Sequence, residues 1–130
     1  MYQLVAALCS SGPYRLSSNS LTSLYQQQVQ QGLLLYDEPQ YQSVLALQQI
    51  ADQLCSGLPT LGLYIHGPVG RGKTMLMDLF YQQLALDGKI RLHFHHFMAR
   101  VHQELKQHQG EADPLLLIAK DWAFKYKVLC

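Results

Sequence analysis

The chain has 130 residues, of which 48% are hydrophobic and 15% are charged, and its net charge is +1. These values fit one domain, or part of one, with an apolar core. They give no electrostatic basis for binding nucleic acid or an anionic membrane surface, and no apolar run reaches the ~20 residues of a membrane helix. Three cysteines lie far apart, which predicts free thiols in a cytoplasmic protein: Cys9, Cys55 and Cys130.

Residues 1–57 predict a helical N-terminal region. Residues 1–20 are expected to have weak structure, because the sequence SSGP at residues 10–13 breaks an early helix. Apolar residues at helical spacing between residues 21 and 29 predict a helix that is capped at Gly32. Asp37 then opens a second helix. Its predicted apolar stripe consists of Val44, Leu47, Ile50, Ala51 and Leu54.

Residues 58–130 alternate strands with helices, which predicts an α/β fold around a parallel sheet. Strands are predicted at residues 61–66, 90–95 and 127–130. Helices are predicted from residue 75 to about 86, from 97 to about 109, and after the N-cap pair Asp113 and Pro114. Residues expected to pack one side of the last helix are Leu115, Leu116, Ile118, Ala119 and Trp122.

The glycine-rich loop, residues 67–74 with the sequence GPVGRGKT, follows the first of these strands and fits the pattern G-x-x-x-x-G-K-[ST]. Glycines let backbone N–H groups approach an anion, and the start of the next helix adds partial positive charge. Lys73 would add a full charge near the β and γ phosphates of a nucleotide, and the Thr74 hydroxyl suits Mg²⁺. The predicted cofactor-binding residues are Gly67, Pro68, Val69, Gly70, Arg71, Gly72, Lys73 and Thr74. A glycine-rich turn that binds nothing is the alternative.

Other polar residues leave alternatives open. His93 and His95 would lie on one face of a strand, close to His96, which suggests zinc. No cysteine or carboxylate stands near them to complete a ligand set, so partly buried structural histidines are the preferred interpretation. Arg71 either contacts phosphate or a neighbouring subunit, or is a solvated loop residue. We expect Trp122 to be a core or surface packing residue rather than a platform for stacking bases.

Several stretches together resemble the ZapE cell-division ATPases and their mitochondrial relatives. They are GLYIHGPVGRGKTMLMDLF at residues 62–80, LHFHHFM at residues 92–98, VH at 101–102, Gly110 with DPL at 113–115, and VLC at 128–130. Weaker matches lie upstream at Tyr25, Gln26, Gly32, Asp37 and Gln40, so the resemblance covers the chain from about residue 21. Asp37 and Gln40 are candidates to approach an adenine, although an N-cap role explains Asp37 equally well.

The resemblance implies an AAA+ ATPase of the P-loop type. It implies ATP and Mg²⁺ as cofactors, ATP hydrolysis coupled to conformational work, and a homo-oligomeric ring when the protein is full length. It also implies a position at the division ring, close to the periphery of the inner membrane. The family usually has arginine at the position of His96, and histidine lacks the permanent charge and fixed fork of arginine. Pro68 replaces a common glycine.

The resemblance places the acidic Walker B pair just beyond Cys130, and the later strands, the polar sensor and the arginine finger further on. Hydrolysis needs such a carboxylate, so we assign no catalytic residue and expect no turnover by residues 1–130 alone. We also expect an incomplete sheet, in which the strand before the glycine-rich loop lacks partners on both sides. Two alternatives stay open: another P-loop NTPase, such as a helicase loader, and a nucleotide-binding adaptor that does not hydrolyse ATP.

Overall fold

The structure, a computed structural model, describes residues 20–130 and the backbone of residues 3–7 and 15–16. The helices in these residues are α1 (Leu21–Gln30), α2 (Glu38–Cys55), α3 (Lys73–Gln83), α4 (Phe94–Gln107) and α5 (Pro114–Lys125). The strands are β1 (Gln3–Ala7), β2 (Arg15–Leu16), β3 (Leu63–Ile65), β4 (Leu84–Ala85), β5 (Lys89–Ile90) and β6 (Val128–Leu129). No helix in the described residues has the length and apolar character needed to cross a bilayer.

Side-chain caps start α2 and α5 where the sequence predicts them. Asp37 Oδ1 accepts a hydrogen bond from Gln40 N (3.0 Å), and Asp113 Oδ1 accepts one from Leu116 N (3.1 Å). Each aspartate satisfies a backbone N–H that has no partner within the helix. Gly32 follows α1 with φ of +71°, which agrees with the predicted cap at the end of that helix.

The apolar core lies between α1, α2, α3 and the strands. All five residues of the predicted stripe on α2 are buried. Tyr25 of α1, Phe80 of α3 and Val128 of β6 belong to the same cluster and are at most 1% exposed. On α5, Ile118 and Trp122 are buried as predicted. The expectation for Leu115, Leu116 and Ala119 was wrong, since Leu115 and Leu116 are 58% and 48% exposed and Ala119 is exposed as well.

The main sheet has four strands in the order β3-β1-β6-β5. β1 is antiparallel to both of its neighbours, and β5 is parallel to β6. The strands expected from residues 58–130 therefore run in one direction, but β1 separates β3 from β6. The expectation of weak structure was wrong for residues 3–7, because pairing with distant strands leaves no local signal in the sequence. Residues 10–13, the predicted helix break, lie outside the described residues.

β1 also changes the expectation for β3. Gln3, Leu4 and Val5 pair with Ile65, Tyr64 and Leu63, so one side of β3 has a backbone partner. The prediction that both sides would lack partners was wrong. β2, which comes from the same N-terminal segment, forms a second, two-stranded sheet with β4.

Two predicted boundaries differ from the structure. α3 ends at Gln83, earlier than residue 86, because Leu84 and Ala85 pair with β2. The strand expected at residues 90–95 ends at Ile90, and α4 begins at Phe94 with His93 as its N-cap residue. The alternation of apolar and histidine residues in this stretch suits the first turn of an amphipathic helix as well as a strand. The expected placement of His93 and His95 on one strand face was therefore wrong.

Candidate functional site

The glycine-rich loop leads from β3 into α3 and depends on backbone angles that favour glycine. Gly70 has φ of +84° and Gly72 has φ of +77°. A Cβ at Gly70 would meet nothing within 4 Å, so its backbone conformation alone favours glycine there. A Cβ at Gly72 would lie 2.8 Å from Gln40 Nε2, so a side chain there would also require the end of the Gln40 side chain to move.

Lys73 is the buried charged residue of this region, with 7% of its surface exposed. Its Nζ donates hydrogen bonds to the carbonyl oxygens of Gly67 (2.8 Å) and Pro68 (2.5 Å). A buried ammonium group is costly unless polar partners surround it, and it has three N–H donors. The loop carbonyls accept hydrogen bonds from two of these donors and hold the positive charge at the N-terminus of α3.

α3 begins without a side-chain cap. Its N-cap residue is Gly72, which has no side chain to accept a hydrogen bond. No side chain therefore accepts a hydrogen bond from the first-turn N–H groups of α3, which include that of Thr74. In α2 and α5, by contrast, an aspartate caps the first turn. Uncapped N–H groups and the helix dipole together favour an anion at this end of α3.

A pocket of about 240 Å³ opens between the start of α2 and the glycine-rich loop. It brings together loop residues that the sequence predicted and residues of α2, β3 and α3. The lining residues are Asp37, Pro39, Gln40, Ser43, Ile65, His66, Gly67, Pro68, Arg71, Lys73 and Leu76. Of the other predicted residues, Gly70, Gly72 and Thr74 lie in the loop or the first turn of α3, and Val69 is 80% exposed.

Polar contacts join the start of α2 to the glycine-rich loop. Arg71 Nη2 lies 2.9 Å from Asp37 Oδ2, and Gln40 Nε2 donates to the Arg71 carbonyl oxygen at 2.9 Å. The fully buried Tyr25 donates its hydroxyl proton to Gln40 Oε1 (3.2 Å) and accepts from Asp37 N (3.3 Å). The sequence predicted Tyr25 as part of the helical pattern of residues 21–29 and as a weaker match to the family, but not its contacts with α2. A buried tyrosine hydroxyl needs a polar partner, and this need is the feature of the sequence that could have suggested such a contact.

Asp37 is the carboxylate that lines the pocket, and both of its oxygens are engaged. Oδ1 caps α2 through Gln40 N, and Oδ2 pairs with Arg71. This geometry makes Asp37 a structural group rather than a base.

Cys130, just after β6, is 5% exposed, and burial raises the pKa of its thiol to about 12 although Arg91 and Lys89 oppose the shift. The thiol is therefore protonated at neutral pH.

The three histidines of the zinc hypothesis lie at the start of α4, where His93 is the N-cap residue. No group of three or more His, Cys, Asp or Glu side chains within the described part of the chain is placed to hold a metal ion. His95 and His96 lie with ring centroids 4.0 Å apart, and both are exposed. The expectation that these histidines would be partly buried was wrong, because they lie on the outer surface of the first turn of α4. Trp122 is buried, as expected, and donates to Glu104 Oε2 at 2.7 Å.

Comparisons with known proteins place the chain among ATPases. A family model described as AFG1-like ATPase matches residues 19–130. The chain is 58% identical over 72 residues to the cell division protein ZapE of Escherichia coli, in a match that covers 55% of the chain and 19% of that protein. It is 39% identical over 83 residues to lactation elevated protein 1 homolog B of Danio rerio, which covers 55% of the chain and 16% of that protein. The chain thus spans less than a fifth of the length of these relatives. No solved structure matches it significantly.

Proposed function

Because the chain belongs to the AFG1-like ATPase family, we propose that its glycine-rich loop binds the phosphates of ATP and that the whole protein hydrolyses ATP. The proposed site residues are those of the sequence analysis, Gly67 to Thr74. We propose that residues 58–130 are the first part of an AAA+ ATPase domain of the P-loop type. Residues 1–57 supply α1 and α2 as an approach region, and they also contribute β1 and β2 to its sheets.

The environment of Lys73 is the observation that carries this proposal. Its buried ammonium group uses two donors on loop carbonyls, and the uncapped first turn of α3 begins at the same residue. A polyphosphate beside the loop would accept the third N–H of Lys73 and the free N–H groups of α3. Glycines without a neighbour at their Cβ positions, such as Gly67 and Gly70, leave space for that approach.

The residues present also fit part of a magnesium site. Thr74 lies in the first turn of α3, and its hydroxyl would serve as an oxygen ligand of Mg²⁺. When bound, Mg²⁺ neutralises charge on the β and γ phosphate oxygens. Asp37 is already paired with Arg71, so we propose that the carboxylates needed for hydrolysis follow Cys130, as the resemblance implies. Residues 1–130 alone would then bind ATP without hydrolysing it.

The cellular role rests on the relatives. The Escherichia coli relative is named as a cell division protein. We propose a corresponding role for the whole protein, as a cytoplasmic homo-oligomer that acts with a division-ring protein at the periphery of the inner membrane. Loss of constriction-stage division in cells that lack the gene would support this role, and normal division would contradict it.

Replacing Lys73 tests the proposed binding site. Lys73→Ala removes one charge-assisted contact of roughly 1.5–3 kcal/mol, so ATP affinity should fall about ten- to a hundredfold. Calorimetric titration of the full-length protein with ATP measures the effect. Lys120→Ala is the matched control, because Lys120 is exposed on α5 and lies outside the pocket lining. Equal ATP affinity for wild type and Lys73→Ala would contradict the assigned role.

A nucleotide-binding adaptor that does not hydrolyse ATP is the second candidate. It fits the pocket lining of the described residues equally well, because the carboxylate of Asp37 is engaged by Arg71 and by the backbone of α2. Phosphate release by the full-length protein distinguishes the two functions. An ATPase releases phosphate and loses that activity in Lys73→Ala, whereas an adaptor binds ATP and releases none.

A further inference from the structure

The start of α2 holds the glycine-rich loop at the residue before Gly72. The side chain of Gln40 donates to the backbone carbonyl of Arg71, and the carboxylate of Asp37 pairs with the guanidinium of the same residue. We propose that Gln40 is a positioning residue, which fixes the last part of the loop in the conformation that receives a polyphosphate. This inference rests on the proposed function for the identity of the ligand.

The orientation of the Gln40 amide follows from its neighbours. The Tyr25 hydroxyl accepts a hydrogen bond from Asp37 N, and the nearer acceptor of its proton is Gln40 Oε1 at 3.2 Å, with the Asp37 carbonyl oxygen at 3.5 Å. Since the amide oxygen of Gln40 faces a donor, its NH₂ group must face Arg71. Tyr25 is fully buried, so it holds the amide in this orientation from within the core.

Gln40 also occupies the space beside Gly72. An added Cβ at Gly72 would lie 2.8 Å from Gln40 Nε2, well inside normal contact distance. The side chain of Gln40 therefore covers the loop at the residue where φ is +77°. A shift of the loop away from α2 would break the hydrogen bond from Gln40 to the Arg71 carbonyl oxygen.

Such restraint matters because the loop is rich in glycine. A loop with glycines at residues 67, 70 and 72 samples many conformations when nothing holds it, and ordering it during binding reduces affinity. Gln40 orders the loop before the ligand arrives. It does so through the Arg71 carbonyl, without any need to touch the nucleotide, so its effect should not depend on the base.

The test compares two ligands and two methionine variants of the full-length protein. Gln40→Met keeps the length of the side chain but removes the amide. Gln49→Met is the matched control, since Gln49 is exposed on the same helix, about 14 Å further along its axis. We expect Gln40→Met to weaken both ATP and inorganic tripolyphosphate about three- to tenfold, the usual effect of one hydrogen bond, and Gln49→Met to change neither.

A second readout separates positioning from general stability and from ATP binding. In the ligand-free protein, Gln40→Met should accelerate amide hydrogen exchange at Leu76, whose N–H donates to the Gly72 carbonyl oxygen at 3.0 Å, while the midpoint of thermal unfolding stays within the range of Gln49→Met. Unchanged exchange, or unchanged affinity for both ligands, would overturn the inference. A loss confined to ATP would overturn it too and assign Gln40 to the base. If wild type binds neither ligand, the proposed function fails, and the exchange result still decides whether Gln40 holds the loop.

Discussion

At the scale of single residues, Gly72 meets two separate demands. Its φ of +77° is one that side chains disfavour, and Gln40 fills the space where a Cβ would lie. Gly32 offers a comparison, because its φ is +71° and nothing lies within 4 Å of its Cβ position. The two glycines share the backbone conformation and differ in crowding, so substitutions at both can separate the two effects.

We predict that Gly32→Ala lowers the free energy of unfolding by about 1–2 kcal/mol, the usual penalty of a left-handed backbone for an L-residue. Gly72→Ala should cost more, because its Cβ also meets the amide of Gln40. Denaturant unfolding measures both values. Combining Gly72→Ala with Gln40→Ala should remove the excess. If both glycine variants lost the same free energy of unfolding, the Gln40 side chain would be able to move aside without strain.

At the scale of elements, α4 and α5 differ from the rest of the fold in how they pack. α4 has no fully buried residue. Glu104 of α4 accepts hydrogen bonds from Trp122 Nε1 (2.7 Å) and from Arg100 Nε (3.1 Å). Arg100 also donates to the hydroxyl of Tyr126 at 2.9 Å. The α4–α5 pair therefore depends on a polar and aromatic cluster, whereas α1, α2 and α3 share an apolar core.

Glu104→Ala should loosen this pair, because it leaves the indole N–H of a buried tryptophan without its acceptor at a cost of about 1–3 kcal/mol. Trp122 is the single tryptophan of the chain, so its fluorescence reports directly on the cluster. We expect emission at longer wavelength and an earlier unfolding transition. Glu111→Ala, at an exposed position between α4 and α5, is the control. Identical spectra for the two variants would contradict this role of Glu104.

The elements also show how far the sequence predicts this fold. The starts of α2 and α5 were predictable because an aspartate followed by an early proline acts locally at a helix N-terminus. The glycine-rich loop was recognisable for the same reason. The end of β5 was not predictable, since the alternation of apolar residues and histidines around His93 and His95 fits both a strand and the start of a helix. The contacts of Tyr25 and Gln40 could not be predicted, because they join residues from separate elements.

At the scale of the whole molecule, β1 joins two halves of the sheet that do not otherwise pair. It lies between β3 and β6 and pairs with both. Without it, the backbone groups of both strands would be exposed at open edges, which promote association with other chains. The N-terminal segment thus contributes to the integrity of the sheet that leads into the glycine-rich loop.

Proline substitutions in β1 test this contribution. Val5→Pro combined with Ala6→Pro removes two successive N–H groups, which point to opposite sides of a strand, so pairing to a neighbour is lost. We expect a lower unfolding midpoint and a larger aggregated fraction by light scattering. The control, Val5→Ala with Ala6→Ser, keeps every N–H. If the proline variant matched this control in both measurements, β1 would not hold the sheet together.

The position of β1 has a consequence for biosynthesis. Ala6 pairs with Leu129 and Ala7 with Val128, so nearly the whole chain separates the two partners. At roughly 5–20 residues per second, a ribosome needs on the order of ten seconds to make the intervening chain. Throughout that time β1 has no partner on its β6 side, although β3 is already available. Pairing of β1 with β3 can therefore begin before β6 has been synthesised, and the pairing of β1 with β6 joins segments made at widely separated times.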